Sequence, residues 1–199
     1  MNFGQRFARL ATDAVVRRPL LWRVFRRPIR RTFDKLAPVW DNQRSPEAFA
    51  PVVSAIDTLD TSPERVLDLG TGTGSVALLV AERFPEADVV GVDVSERMIE
   101  QARRKAPERV RFERADAQRL PFADASFDLV TLGNMIPFFD ELARVTASGG
   151  RVLFAFSAGE ETPIYVPPET LRRRLGERGF AEFAEFSAGR GTALLATKR

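Results

Sequence analysis

Between Arg65 and Phe156 five short apolar runs alternate with longer stretches that read as helices. The runs are Val66–Leu69, Val89–Asp93, Val110–Glu113, Phe127–Leu132 and Arg151–Phe156. Runs this short and this apolar are strands buried on both faces, and strands separated by helices pair in parallel through right-handed crossovers. The intervening helices are expected from Ser75 to about Phe84, from the cap Ser95 through Lys105, and around Phe139–Val145. After Pro167-Pro168 a helix over Glu169–Arg178 ends at Gly179. The last two strands, Ala181–Phe186 and Thr192–Thr197, are joined by the short turn Ser187–Gly191 and form an antiparallel hairpin. The expectation is an α/β chain: a mostly parallel, seven-stranded sheet ending in an antiparallel hairpin, with helices on both faces.

Before this core lies a basic amphipathic segment. Phe3, Phe7, Leu10 and Ala14 recur at helical spacing, as do Leu21, Phe25, Ile29, Phe33 and Leu36, with Arg23, Arg26, Arg27, Arg30 and Arg31 between them. Pro19 separates two helices, and Pro28 is expected to kink or break the second. Asn42–Pro46 reads as a loop, after which Ser45 caps a helix with Pro46 in its first turn, running through Ala55 to about Leu59. Up to Ser45 ten arginines and one lysine face three aspartates, a net charge of +8, which leaves −5 for the remainder. The division expected is residues 1–45 as a helical cap and 46–199 as the α/β domain.

The chain contains neither Cys nor His. Disulfides, thiolate nucleophiles and Cys/His zinc sites are thereby excluded, and proton handling falls to carboxylates, Lys, Tyr165, the substrate or water. The run Leu20-Leu21-Trp22 is cut off by Arg23, far short of the ~20 apolar residues that span a bilayer. With Arg recurring through the first residues, no secretory signal is expected and the cytoplasm is the expected compartment.

The segment Val66–Gly74 narrows the function. Glycines directly after a strand let a ligand approach the backbone, and the following helix offers free N–H groups. Gly72-Thr73-Gly74-Ser75-Val76-Ala77 also fits the dinucleotide fingerprint, with Asp93 at about the ~20-residue spacing. Three features oppose that reading. Asp68, in the strand's last turn, would repel a pyrophosphate but welcome an ammonium group. Ala115-Asp116-Ala117 follows the third strand, where it could address an adenine edge. The terminal hairpin is foreign to the usual dinucleotide-binding sheet.

The chain resembles the class I, Rossmann-like S-adenosylmethionine-dependent methyltransferases, particularly the small-molecule group containing quinone-biosynthesis enzymes. Val66–Gly74, Gly91-Val92-Asp93, Asp116–Phe122, Ala125–Val130 and Glu141–Val145 leading to Gly149–Val152 carry the resemblance, in the family's order and spacing. It implies that Gly70, Thr71, Gly72 and Gly74 hold the methionine portion of S-adenosylmethionine, with Asp68 near its ammonium. Asp93, beside Val94, would accept from both ribose hydroxyls. Met98 would face the adenine, Asp116 would accept from its amino group, and the Ala117 N–H would address a ring nitrogen. S-adenosylhomocysteine would be the product, and no metal is implied.

For the acceptor, the stretch Gly133–Phe139 follows the fourth strand at the ligand-binding edge. Asn134 is a candidate to orient substrate and Phe138 to form an apolar wall. The stretch resembles the N-x-P-aromatic motif of adenine N-methyltransferases but carries an extra residue before Pro137, which disfavours a nucleic-acid substrate. Phe33–Asp41 is similar to the segment that closes over the cofactor in this family, making Trp40 and Asp41 pocket candidates. Tyr165, the one tyrosine, is the phenolic candidate for proton transfer, with Asn134 the other catalytic candidate.

The implied reaction is methylation at O, N or C of a small acceptor, hydrophobic or lipid-like acceptors included. The competing functions are a non-catalytic adenosyl-cofactor-binding protein with a basic interaction segment, and an NAD-dependent oxidoreductase. Arginines flanking the apolar stripe Leu20–Leu36 also suggest peripheral contact with an anionic membrane.

Overall fold

The computed structural model describes residues 3–43 and 45–199. Arg44, placed in a loop from sequence, lies outside the described residues, as do Met1, Asn2 and the side chain of Phe3. Helix α1 (Phe3–Arg17) and a single turn at Pro19–Leu21 lead into α2 (Trp22–Leu36), and α3 follows at Ala50–Ile56. The core then runs β1 (Arg65–Leu69), α4 (Ser75–Arg83), β2 (Asp88–Asp93), α5 (Glu96–Lys105), β3 (Val110–Arg114) and β4 (Phe127–Gly133). It continues through α6 (Phe139–Val145), β5 (Thr146–Phe156), α7 (Pro168–Gly176), β6 (Phe180–Ala188) and β7 (Gly191–Lys198).

The seven strands form one sheet in the order β3-β2-β1-β4-β5-β7-β6. Every pair from β3 to β5 is parallel, whereas β7 enters antiparallel between β5 and β6. The strand order reverses beside β1, so the carboxyl ends of β1 and β4 flank the crevice where such sheets bind ligands.

Alternation along the strands sends side chains to two packed layers. Val66, Val89, Leu129 and Leu153 pack with α3, α4 and α5. Leu67, Val90, Val130, Val152 and Phe154 pack with α6 and α7 on the opposite face. Val15, Val16 and Trp22, from the N-terminal helices, belong to that second layer. Their place there has a topological cause. The crossover from β3 to β4 contains no helix, so the sheet face it would shield is covered by α1, α2 and the loop residues Leu120 and Phe122.

Three local expectations need correction. Pro28 does not end α2, which continues to Leu36; the residue is exposed. Ser45 makes no side-chain cap bond, and Pro46–Phe49 is a 3-10 turn before α3. Pro51 explains the delay: lacking an N–H, it fits only the first turn of an α-helix, which therefore starts at Ala50. Strand β5 begins at Thr146 and not at Arg151, with a register shift on β4 between Phe127 and Leu129 absorbing the extra residues.

Gly91 marks the tightest point of the sheet's layer beneath α4 and α5. A Cβ there would stand 2.6 Å from the Phe112 ring and 2.6 Å from Thr71 Oγ1. Overpacking of this kind costs ~1–3 kcal/mol. Gly91→Ala is expected to lower the melting temperature by several degrees in a thermal unfolding scan; an unchanged midpoint would contradict the packing described.

Candidate functional site

The site grows from the end of β1. Asp68 is buried and accepts a hydrogen bond from Thr131 Oγ1, its partner in register on β4, at 2.7 Å. The turn that follows requires glycine on two counts at Gly70 and Gly74. Both adopt left-handed backbone, φ +65° and +88°. Both also lack room for a side chain, a Cβ lying 2.6 Å from Met135 Sδ in one case and 2.6 Å from Phe112 in the other. The Thr71 N–H donates to the Val92 carbonyl at 3.0 Å and ties the turn to β2. Thr73 Oγ1 donates to Asp41.

Asp93 ends β2. Its Oδ2 accepts from the Gly72 N–H at 3.0 Å and its Oδ1 from the Ser95 N–H at 2.8 Å. Ser95 caps α5 by accepting from the Met98 N–H and donates its own hydroxyl to Asp34 of α2 at 2.6 Å. Burial pushes the Asp93 carboxyl up to about 6, against the lowering effect of the N–H groups of Ser95, Gly72 and Val94; the nearby Asp34 charge adds to the rise.

Asp116 follows β3. Its Oδ1 accepts from Trp22 Nε1 at 2.8 Å and from the Gln118 N–H at 3.1 Å, while Oδ2 accepts from Arg26 at 2.7 Å. Gln118 in turn donates to the Pro19 carbonyl. The start of α2 is thus fastened over the loop that follows β3. Trp40 stands on the glycine turn, its Nε1 3.5 Å from where a Gly72 Cβ would be, with its ring edge-on to Phe33.

Asp68, the glycine turn, Asp93, Val94, Asp116 and Ala117 therefore line successive carboxyl ends of β1, β2 and β3. Met98, on the inner side of α5, is fully buried. Phe138 is buried edge-on to Trp22, with ring centroids 5.4 Å apart. Asn134, with φ +52°, gives its amide to Ser157: Nδ2 donates to Oγ and Oδ1 accepts from the N–H, both at 2.9 Å. Tyr165 stacks edge-on to Phe156, with the Arg9 guanidinium over its ring, and burial pushes its phenol up.

Trp22, Arg26, Asp34 and Met135 enter this site without having been singled out in the sequence. Trp22 stands one residue off the periodic apolar stripe, and Arg26 reads as one solvated arginine among many. Their role depends on the loop after β3, 94 and 90 residues away in sequence, and no local pattern reports it. A separate hollow of about 380 Å³ opens at the opposite end of the sheet, bounded by Pro63, Asp128, Gly149 and Arg151. Asp128 there accepts from the N–H groups of Glu64 and Arg65, so it is committed to the turn before β1. Among the described residues no cluster of three Asp or Glu side chains could hold a metal ion.

The family described as "Methyltransferase domain" matches residues 66–153, the stretch that contains Asp68, Asp93 and Asp116. A demethylmenaquinone methyltransferase of Thermus thermophilus is 47% identical over 110 residues, covering 50% of this chain and 50% of that protein. A malonyl-[acyl-carrier protein] O-methyltransferase of Halorhodospira halophila is 37% identical over 150 residues, covering 69% of this chain and 50% of that one. The chain spans about half the length of the curated relatives it matches. In fold it is similar to a crystal structure of a SAM-dependent methyltransferase from Aquifex aeolicus, with TM-score 0.67 at 18% identity, covering 84% of this chain and 97% of that one. The [4+2]-cyclase SpnF shares the fold as well, with TM-score 0.62 at 20% identity, covering 76% of this chain and 80% of that one, so architecture alone does not fix the chemistry. Sequence kinship and sheet order agree: the chain has a Rossmann-like fold, carries the methyltransferase-domain match within it, and resembles the class I methyltransferases, quinone-biosynthesis members among them.

Proposed function

We propose that the chain binds S-adenosylmethionine and directs its methyl group to O, N or C of a small acceptor, hydrophobic or lipid-like ones included. The observation that carries this reading is the row of three carboxylates, Asp68, Asp93 and Asp116, at successive strand ends around a left-handed glycine turn. The donor set fits this cofactor. Each Asp93 oxygen uses one bond to a backbone N–H, and an ionised carboxylate offers about four acceptor sites, so room remains for two hydroxyl donors. Asp34 and Asp41 also stand beside the turn, but Arg30 and Lys105 pair with them, so the negative charge there comes from Asp68 and Asp93. Such surroundings repel a pyrophosphate and suit a ligand with an ammonium and a sulfonium, which weighs against a dinucleotide.

S-adenosylmethionine, when bound, supplies a methyl carbon made electrophilic by its sulfonium. Asp68 then faces the ammonium of the methionine part, and the Gly70–Gly74 backbone cradles that part. Asp93 accepts from the ribose hydroxyls, while Asp116 and the Ala117 N–H address the adenine. Trp22, Trp40 and Phe138 keep water from the carboxyl edge, where displacement needs alignment more than a dedicated base. Tyr165, its phenol pushed up by burial, stays protonated at neutral pH and serves as a donor and not a base. Asn134 acts by tying the end of β4 to the residue after β5.

The relatives' names, demethylmenaquinone and malonyl-[acyl-carrier protein] methyltransferase, support an acceptor panel of naphthoquinols and short acyl thioesters. Transfer of tritium from methyl-labelled S-adenosylmethionine into one of these, abolished in Asp93→Ala, is the expected result. Cofactor binding with no transfer to any member would instead favour a cofactor-binding protein without turnover.

Two binding experiments probe the site itself. The folded-state pKa of Asp93 stands above the ordinary carboxylate value of 3.8, so its ionisation costs stability progressively as pH rises from about 4 to 6. Ribose hydroxyls donate more strongly to the ionised form, which accepts on both oxygens. Affinity for S-adenosylhomocysteine is expected to fall about tenfold from pH 7 to pH 5, following the loss of that form, and to be weak and flat in Asp93→Asn. The second concerns Asp116, whose oxygens the adenine must share with Trp22 and Arg26. Arg26→Ala removes an exposed ion pair worth under ~1 kcal/mol and is expected to tighten S-adenosylhomocysteine binding up to about fivefold by calorimetry. Weaker binding would mean that Arg26 holds the cofactor and does not compete with it.

A further inference from the structure

The outer face of α2 differs in kind from its inner one. Leu20 and Val24 are 70% and 67% exposed. Within α2, Val24, Arg27 and Arg31 succeed one another at steps of three and four, the spacing of a single helix face, and Leu20 stands on the turn just before them. Arg23 adjoins that face, and Arg17 and Arg18 are exposed at the turn that leads into it. Between Asp13 and Asp34 the sequence has seven arginines and no acidic residue. Arg26 and Arg30 pair with Asp116 and Asp34. The other five are exposed and make no ion pair with any described residue.

We infer that this face docks on an anionic lipid surface. Five unpaired guanidinium groups match the charge of phospholipid headgroups, and each contributes to attraction near such a surface. The two protruding aliphatic side chains enter the headgroup boundary, where apolar area is buried. A nucleic acid would use the arginines but leave Leu20 and Val24 idle. It would also find no ring on this face for its bases, because Trp22 is buried and Phe25 packs inward against Phe7. The face stays presented because the opposite side of α2 is fastened at its start, where Trp22 and Arg26 hold Asp116. Among the described residues no helix is long and apolar enough to cross a membrane, so this contact is superficial. It rests on surface chemistry and stands apart from the proposed activity.

Flotation of the full chain with vesicles of phosphatidylcholine, alone or with roughly a third phosphatidylglycerol, tests the inference. Two variants keep the fold, since every altered side chain is exposed: Arg23→Gln/Arg27→Gln/Arg31→Gln and Leu20→Ser/Val24→Ser. Melting temperatures near that of the parent establish this. The parent is expected to float with the anionic vesicles alone. The arginine variant should bind about tenfold or more weakly, and the aliphatic variant several-fold more weakly, most evidently at high salt. Absence of flotation with anionic vesicles overturns the inference. So does loss in the arginine variant alone, and an RNA duplex showing that same loss would reassign the face to nucleic acid.

Discussion

A parallel sheet must be covered on both faces, and here the polypeptide between β3 and β4 supplies only a loop for its share. The N-terminal helices make up the difference. Trp22 is 3% exposed and sits in the same layer as Val90, Val92 and Phe138. One consequence follows from geometry alone: the helix that completes the core also begins above the carboxyl ends of the strands, where it meets Asp116. Core packing and the boundary of the site therefore share a helix, and a side chain such as Trp22 cannot be assigned to one without the other.

The electrostatics of that edge follow the same logic. Asp68 and Asp93 are drawn out of water, and each is compensated by donors fixed in the fold, Thr131 for one and the Gly72 and Ser95 N–H groups for the other. Burial still outweighs the donors at Asp93 and raises its carboxyl. Carboxylates held this way are preorganised acceptors, in keeping with the proposed recognition of hydroxyl, amino and ammonium groups. On its other side α2 carries unpaired arginines. A single helix thus separates an acidic cleft from a basic exterior.

Much of this was legible in the sequence because it is local. Strands buried on both faces announce themselves as apolar runs, and Gly70 and Gly74 mark a turn that nothing else could make. Ser95 is read as a cap and is one. The failures are tertiary. Pro28 is tolerated because its side of α2 faces solvent, and exposure is not written in the residue itself. Pro51 delays α3 in favour of a 3-10 turn, which periodicity does not distinguish from a helix. Trp22 and Arg26 find Asp116 only once the chain has crossed the sheet.

The row of carboxylates at the strand ends is proposed as an adenosyl-cofactor site. Calorimetric titration of the purified chain with S-adenosylmethionine, S-adenosylhomocysteine and NAD, alongside Asp93→Ala, tests it most directly. Saturable binding of the two adenosyl-sulfur ligands, lost in the variant, with no heat from NAD, is the result this account predicts. Binding of NAD alone, or adenosyl-sulfur binding indifferent to Asp93, would contradict it.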